Sequence, residues 1–147
     1  MRVDTKRDRT DGSVVIEIHC RDITDEVLRL ERYIKNFKSY IPAKEGGDMR
    51  NVALDDILYI ESVDKKTFIY TDDSVLMADK RLYELEDLLD KRDFFRCSKS
   101  VIIHLNKVVR LKPEITRNIL ATLTNGEIVV VSRRYAGELK HLLGIGK

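Results

Sequence analysis

Two stretches in the last third of the chain carry residue types for which a protein core has little use. They are Phe95-Arg96-Cys97-Ser98-Lys99-Ser100 and Asn125-Gly126-Glu127-Ile128-Val129-Val130-Val131-Ser132-Arg133-Arg134. Each runs from apolar, β-type residues into hydroxyl and basic ones. The chemistry on offer is recognition, not bond-making. A strand that ends in Ser-Arg-Arg and feeds a helix holds two guanidinium groups on one loop, and such planar forks fit phosphate oxygens or the guanine edge. Cations at a helix start oppose the macrodipole at a cost of roughly 0.3–1 kcal/mol each. That placement makes sense where an external anion sits over the helix start. Lys65 and Lys66 supply a third basic turn, which by residue type alone reads as solvated hairpin surface.

Signals for catalysis are weak. Asp55-Asp56 and Asp72-Asp73 could suggest a metal-dependent nuclease, but adjacent carboxylates are also common turn formers. No Ser/His/Asp arrangement, phosphate-cradling glycine loop or zinc-ligand spacing is present, so neither an enzyme nor a cofactor is expected. Cys20 and Cys97 lie far apart with no CxxC spacing, which reads as two free thiols in a reducing compartment. Arg96 and Lys99 flank Cys97, and nearby cations lower a thiol pKa; a structural thiol is nonetheless the expected role. His104, between Ile103 and Leu105, reads as a partly buried strand-end residue rather than a ligand.

The elements that must hold these residues fit a chain of 147 residues with 43% hydrophobic and 35% charged side chains, enough for one domain with a small appendage. The net charge of +2 hides an asymmetry: residues 51–94 hold 6 Lys/Arg against 12 Asp/Glu, and residues 95–147 hold 10 against 3. A basic third beside an acidic middle fits a face built for a polyanion, and equally two solvated surfaces of one fold. No apolar run approaches the ~20 residues that span a bilayer. Met1 to Ser13 lacks the apolar centre of a signal peptide, so a cytoplasmic location is the expectation.

Val14 to Cys20 is β-branched and reads as a strand. A helix should begin near Thr24 or Asp25, with Thr24 as cap. Val27, Leu30, Ile34 and Phe37 then form one apolar stripe, which should dock on the main domain of the same chain in preference to another subunit, and which is also the place to look for a partner or self-association surface. From Ser39 short strands and turns take over: Ser39–Lys44, Met49–Val52, Ile57–Ser62, Thr67–Thr71 and Val75–Ala78. Leu54-Asp55-Asp56 fits a single helical turn. A second helix is expected from about Lys80 to Lys91, capped by Asp79. Further strands follow at Val101–Ile103, Val108–Lys112, Ile119–Leu123 and Ile128–Val131. Asn125-Gly126 signals a type I′ hairpin turn, and a last helix should run from Arg133 to Leu143 between Ser132 as cap and Gly144 as stop. The sum is a mainly antiparallel β fold with two to three helices, preceded by a strand–helix extension over residues 1–39.

Several of these segments, in order, resemble one family. Asp56-Ile57-Leu58-Tyr59-Ile60-Glu61-Ser62 looks like the opening signature of the LytTR DNA-binding domain. Phe94-Phe95-Arg96, Ser98-Lys99-Ser100, the apolar run to Leu105 and Leu123-Thr124-Asn125-Gly126 continue it. Val131-Ser132-Arg133-Arg134 followed by Glu138-Leu139-Lys140 closes it. The resemblance covers about Tyr40 to Leu143, so residues 40–147 are expected to form the DNA-binding domain. It implies an elongated LytTR-like set of small antiparallel sheets that reads successive major grooves with loops, commonly at paired direct repeats in promoters. Carried over by position, the DNA contacts would be Lys65, Lys66 and Thr67, then Ser98, Lys99 and Ser100, then Arg133 and Arg134. Many relatives carry His at the place of Ser98 and Asn at that of His104, which leaves the base read by the Ser98 loop open.

The implied function is a sequence-specific transcriptional regulator bound to double-stranded promoter DNA, without cofactor, as a homodimer on DNA. The first 40 residues lack the acidic cluster and alternating strand–helix plan of a receiver domain. The chain is therefore similar to the stand-alone LytTR class, whose members are often paired with a membrane-protein regulator. The competing reading is a protein-interaction module whose basic face binds an acidic protein or membrane surface.

Overall fold

A computed structural model describes residues 1–37 and 39–144. The chain divides into two compact units, residues 1–37 and 38–147. In the first, helix α1 spans Asp25–Lys35, and Val27 donates its N–H to the Thr24 hydroxyl at 3.3 Å, the expected cap. The helix ends at Asn36, so Phe37 lies beyond it and the apolar stripe keeps Val27, Leu30 and Ile34 on helical residues. Val14 to Cys20 is not a strand. A strand exists through its ladder, and β-branched composition does not supply a partner edge.

Among its described residues the second unit holds ten strands, all paired antiparallel, and two α-helices. The strands are β1 (Tyr40–Glu45), β2 (Asp48–Ala53), β3 (Tyr59–Val63), β4 (Lys66–Tyr70), β5 (Val75–Ala78), β6 (Phe94–Arg96), β7 (Val101–His104), β8 (Val108–Pro113), β9 (Ile119–Leu123) and β10 (Ile128–Val131). Helix α2 is Leu82–Leu88 and helix α3 is Arg133–Leu142. Seven strands form one sheet in the order β2-β1-β5-β4-β3-β7-β6, and β10-β9-β8 form another.

The larger sheet is covered on both faces, which explains why β7 is apolar at consecutive positions. Ile102 joins a core with Ile60, Ile69, Leu76 and α2 residues Leu82 and Leu85. Its neighbour Ile103 joins a second core with Phe95, Cys97, Val129, Val131 and α3 residues Ala136 and Leu139. Phe94 and Phe95 divide in the same way. This three-residue strand is too short to show alternation, and it was missing from the expected set.

The turns differ most from expectation. Asn125-Gly126 does not form a I′ turn, which needs positive φ at both central residues. Of the two only Gly126 is left-handed (φ 90), and Leu123 and Glu127 close a three-residue loop, with Leu123 N–H donating to Glu127 C=O at 2.8 Å. The Asn125 carboxamide oxygen accepts the Glu127 N–H at 3.1 Å and stabilises that longer form. The I′ pattern occurs at Asp64-Lys65, with φ 50 and 66, between Val63 and its cross-strand partner Lys66.

The α2 helix is shorter than expected and starts after Arg81, not Asp79. The Glu84 carboxylate accepts the Arg81 N–H at 3.1 Å, half of a capping box that fixes the start there.

Candidate nucleic-acid interface

Four successive carbonyls of the Cys97–Ser100 loop are each held from outside the loop. Cys97 C=O accepts the Ser132 N–H at 2.8 Å, and Ser100 C=O accepts the Ser62 N–H at 2.8 Å. Between them, Ser98 C=O accepts Nε of Arg96 at 2.8 Å and Lys99 C=O accepts Nη2 of the same guanidinium. The third arm of Arg96, Nη1, donates to Glu86 Oε1 on α2 at 2.9 Å. With its carbonyls occupied by the scaffold, the loop keeps Lys99 exposed. The Ser98 hydroxyl accepts the Ser100 N–H at 3.2 Å, which leaves its own proton to donate elsewhere.

Those two backbone bonds tie the three expected loops together. Ser62 is the next-to-last residue of β3, which enters the Asp64-Lys65 turn, and Ser132 immediately precedes Arg133 and Arg134. Lys65 and Lys66 are exposed, and Lys65 C=O accepts Nη1 of Arg81 at 3.2 Å. Arg133 and Arg134 are exposed on the first turn of α3. The Arg134 guanidinium carbon lies 5.6 Å from the Tyr135 ring centroid, inside cation–π range.

Thr67 does not belong with them. It is 2% exposed, because the I′ turn consumes Asp64 and Lys65 and the strand alternation that exposes Lys66 turns Thr67 inward. The apolar stripe of α1 belongs to the other unit.

The start of α3 also departs from expectation. Ser132 occupies the cap position without a side-chain bond, and the Arg133 N–H instead donates to the Asn118 carboxamide at 2.9 Å. Asn118 comes from the β8–β9 turn, where Arg117 takes φ 72. Arg117, Arg133 and Lys140 line an open depression of about 390 Å³ together with Glu114. None of these three cations makes an ion pair among the described residues. Sequence reasoning missed Arg117 and Asn118, because their place beside the start of α3 follows only from the fold.

Other reactive groups serve the scaffold. Cys97 is fully buried with Sγ 3.6 Å from Val101 C=O, and burial pushes its thiol up to about 12 against the smaller opposing effect of Arg96. His104 is buried, stacks on Phe94 at 4.2 Å, and its Nδ1 lies 2.7 Å from Ile57 C=O. Burial holds its imidazole below the ordinary value, so it is a neutral donor to that carbonyl. Tyr59 and Tyr70 stack at 4.3 Å, and Tyr70 donates to Glu61 at 3.1 Å. Burial, and next the Glu127 carboxylate of the β9–β10 loop, raise the pKa of Tyr59. Asp73 accepts from the Thr71 and Ser74 hydroxyls at 3.1 and 3.2 Å, the work of a turn former. Among the described residues no group of three or more His, Cys, Asp or Glu could hold a metal ion. None of the described helices is long and apolar enough to cross a membrane.

A domain of two antiparallel sheets, with basic loops joined by backbone hydrogen bonds, is the class this geometry defines. Residues 47–144 match the LytTr DNA-binding domain family, and the chain belongs to it. A solved LytTr DNA-binding domain from Bacillus cereus superposes with a TM-score of 0.70 at 32% identity, covering 74% of this chain and 99% of that one. The sensory transduction protein LytT of Bacillus anthracis is 30% identical over 129 residues, 88% of this chain and 48% of the relative. The transcriptional regulatory protein YpdB of Escherichia coli K12 is 30% identical over 91 residues, 61% of this chain and 37% of the relative. The chain thus spans about half or less of the length of these curated relatives.

Proposed function

We propose that this protein is a transcriptional regulator that reads double-stranded promoter DNA with three loops: Asp64–Lys66, Ser98–Ser100 and Arg133–Arg134. The observation that carries this reading is the pair of backbone bonds, Ser62 N–H to Ser100 C=O and Ser132 N–H to Cys97 C=O, that joins all three loops. Loops linked in this way present their cations to one ligand with little ordering cost on binding. The similarity to a named transcriptional regulatory protein and to a sensory transduction protein supports the regulatory role.

The division of labour follows from side-chain chemistry. Lys65, Lys66 and Lys99 are point charges suited to phosphate oxygens, and such contacts set register without reading sequence. Arg133 and Arg134 carry forks suited to a base edge. Arg117 and Lys140 extend the basic surface beside Arg133 and serve a flanking phosphate. A second copy on an adjacent repeat completes the homodimer on DNA.

The test is selection of duplexes from a random pool, followed by fluorescence anisotropy on the enriched duplex and a scrambled one at two salt concentrations. A regulator binds the enriched duplex tightly at ~150 mM salt and releases the scrambled one. Equal, salt-erased binding to both would point instead to a basic surface for an acidic protein or membrane.

A further inference from the structure

Two arginines that the DNA reading leaves unused both connect helix α2 to the proposed contact loops. Arg81, at the start of α2, donates Nη1 to the Lys65 carbonyl at 3.2 Å. Arg96 pairs with Glu86 of α2 at 2.9 Å, and its other two nitrogens take the carbonyls of Ser98 and Lys99. We propose that α2 is a bracket that sets the shape of two DNA-reading loops before DNA arrives, with Arg96 its principal positioning residue. The inference rests on the DNA reading of those loops.

The reasoning is geometric. The Arg96 side chain is 19% exposed, and all three of its nitrogens donate inward, so it has little left to offer a phosphate. Among the described residues Lys99 C=O accepts from no other group, and Ser98 C=O depends on the same guanidinium. Without the fork those two carbonyls would turn to water, and the loop between the fixed ends Cys97 and Ser100 would lose its middle support. A lysine cannot replace it, because one ammonium does not span two carbonyls and a carboxylate in a plane. Glu86 aims the fork and balances its charge; α2 itself is fixed by Leu82 and Leu85 in the core.

A positioning residue and a phosphate contact differ in a measurable way. Removing a phosphate contact lowers the slope of log K against log salt by about 0.9, whereas removing a brace leaves that slope unchanged. The experiment uses the full chain, a duplex enriched by the wild type from a random pool, and its scrambled counterpart. Anisotropy is read at several salt concentrations, and backbone order at residues 98–100 is read by ¹⁵N relaxation without DNA.

For Arg96→Ala the loop order parameters should drop from near 0.85 to below about 0.6. The preference for the enriched duplex should fall by about tenfold, the scale of one lost base-edge pair, with an unchanged salt slope. Arg96→Lys should behave like Arg96→Ala. Glu86→Gln, which keeps the side-chain shape and guards against simple misfolding, should lose about threefold in preference, on the scale of a weakened charge-assisted bond.

An ordered loop or undiminished preference in Arg96→Ala overturns the inference, as does a salt slope reduced by about one. Full rescue by lysine overturns the role of the fork. A wild type that enriches no duplex sinks the DNA reading itself, and the relaxation arm then decides the bracket alone.

Discussion

The β1–β2 and β3–β4 hairpins each turn with two residues, yet they solve the turn in opposite ways. Gly46-Gly47 places a glycine at φ 63, where a side chain would meet nothing within 4 Å. Asp64-Lys65 forces two residues with side chains into the same left-handed region, and Arg81, the residue that caps the start of α2, holds the Lys65 carbonyl. The first turn is relaxed by its glycine, with an Arg50–Glu45 ion pair at 3.1 Å across the hairpin beside it; the second is strained and held at its own carbonyl. A non-glycine residue costs roughly 1–2 kcal/mol in that region, so a lysine kept there points to a task for its side chain. Arg117, at φ 72 beside Arg133, repeats the pattern. Relaxed turns build this scaffold, and its strained turns carry cations.

Four substitutions or conditions test that division. The largest effect should come from the Ser132-Arg133-Arg134 loop, the third of the basic loops. Arg134→Ala should weaken binding to the enriched duplex by about 1–3 kcal/mol, and binding to a scrambled duplex by less. Equal loss on both would demote Arg134 to a phosphate contact. On the relaxed side, Gly46→Ala should destabilise the fold by about 1–2 kcal/mol in urea unfolding, since open space leaves only the backbone cost. Its DNA preference should not change, and a change would erase the distinction between the two hairpins.

Lys65→Gly is the sharper counterpart. Relief of the left-handed strain should raise stability by about 1 kcal/mol, while the salt slope of DNA binding drops by about 0.9. A variant that is less stable, or that keeps the wild-type slope, would mean that Lys65 serves the turn and not the ligand.

The smallest effect lies in the core. Burial depresses the folded-state pKa of His104 below its ordinary value. The unfolded chain therefore takes up a proton near pH 6.5 and the folded chain only at lower pH, so this contribution is intact above that window and lost as pH falls through it. The melting temperature should drop between about pH 7.5 and 5.5, and His104→Asn should shrink that drop, with DNA preference at the higher pH unchanged.

Much of this was legible in the sequence because one-dimensional patterns suffice for it. Short apolar, β-branched runs bounded by turns located nine of the ten described strands, and Thr24 gave the start of α1 correctly. What escaped was whatever depends on partners distant in sequence. Val14 to Cys20 has strand composition but no edge to pair with. Thr67 looked like part of a basic turn until the two-residue turn fixed its register and buried it. Asn125-Gly126 carried the stronger I′ signal, but its own carboxamide favoured a longer loop and the I′ turn fell at Asp64-Lys65. Arg96 read as part of a basic loop, whereas Glu86 and two carbonyls turn it inward as a brace. Asn118, which caps α3 from the β8–β9 turn, could not be named without the fold.

The most direct test of the three-loop account is ¹H–¹⁵N chemical-shift mapping of the full chain as the enriched duplex is added. The account predicts that the largest amide shifts cluster at residues 64–66, 98–100 and 133–134, with Gly46 and Gly47 unmoved. Shifts centred instead on the β1–β2 hairpin, or on Arg110 and Lys112 of the smaller sheet, would contradict it.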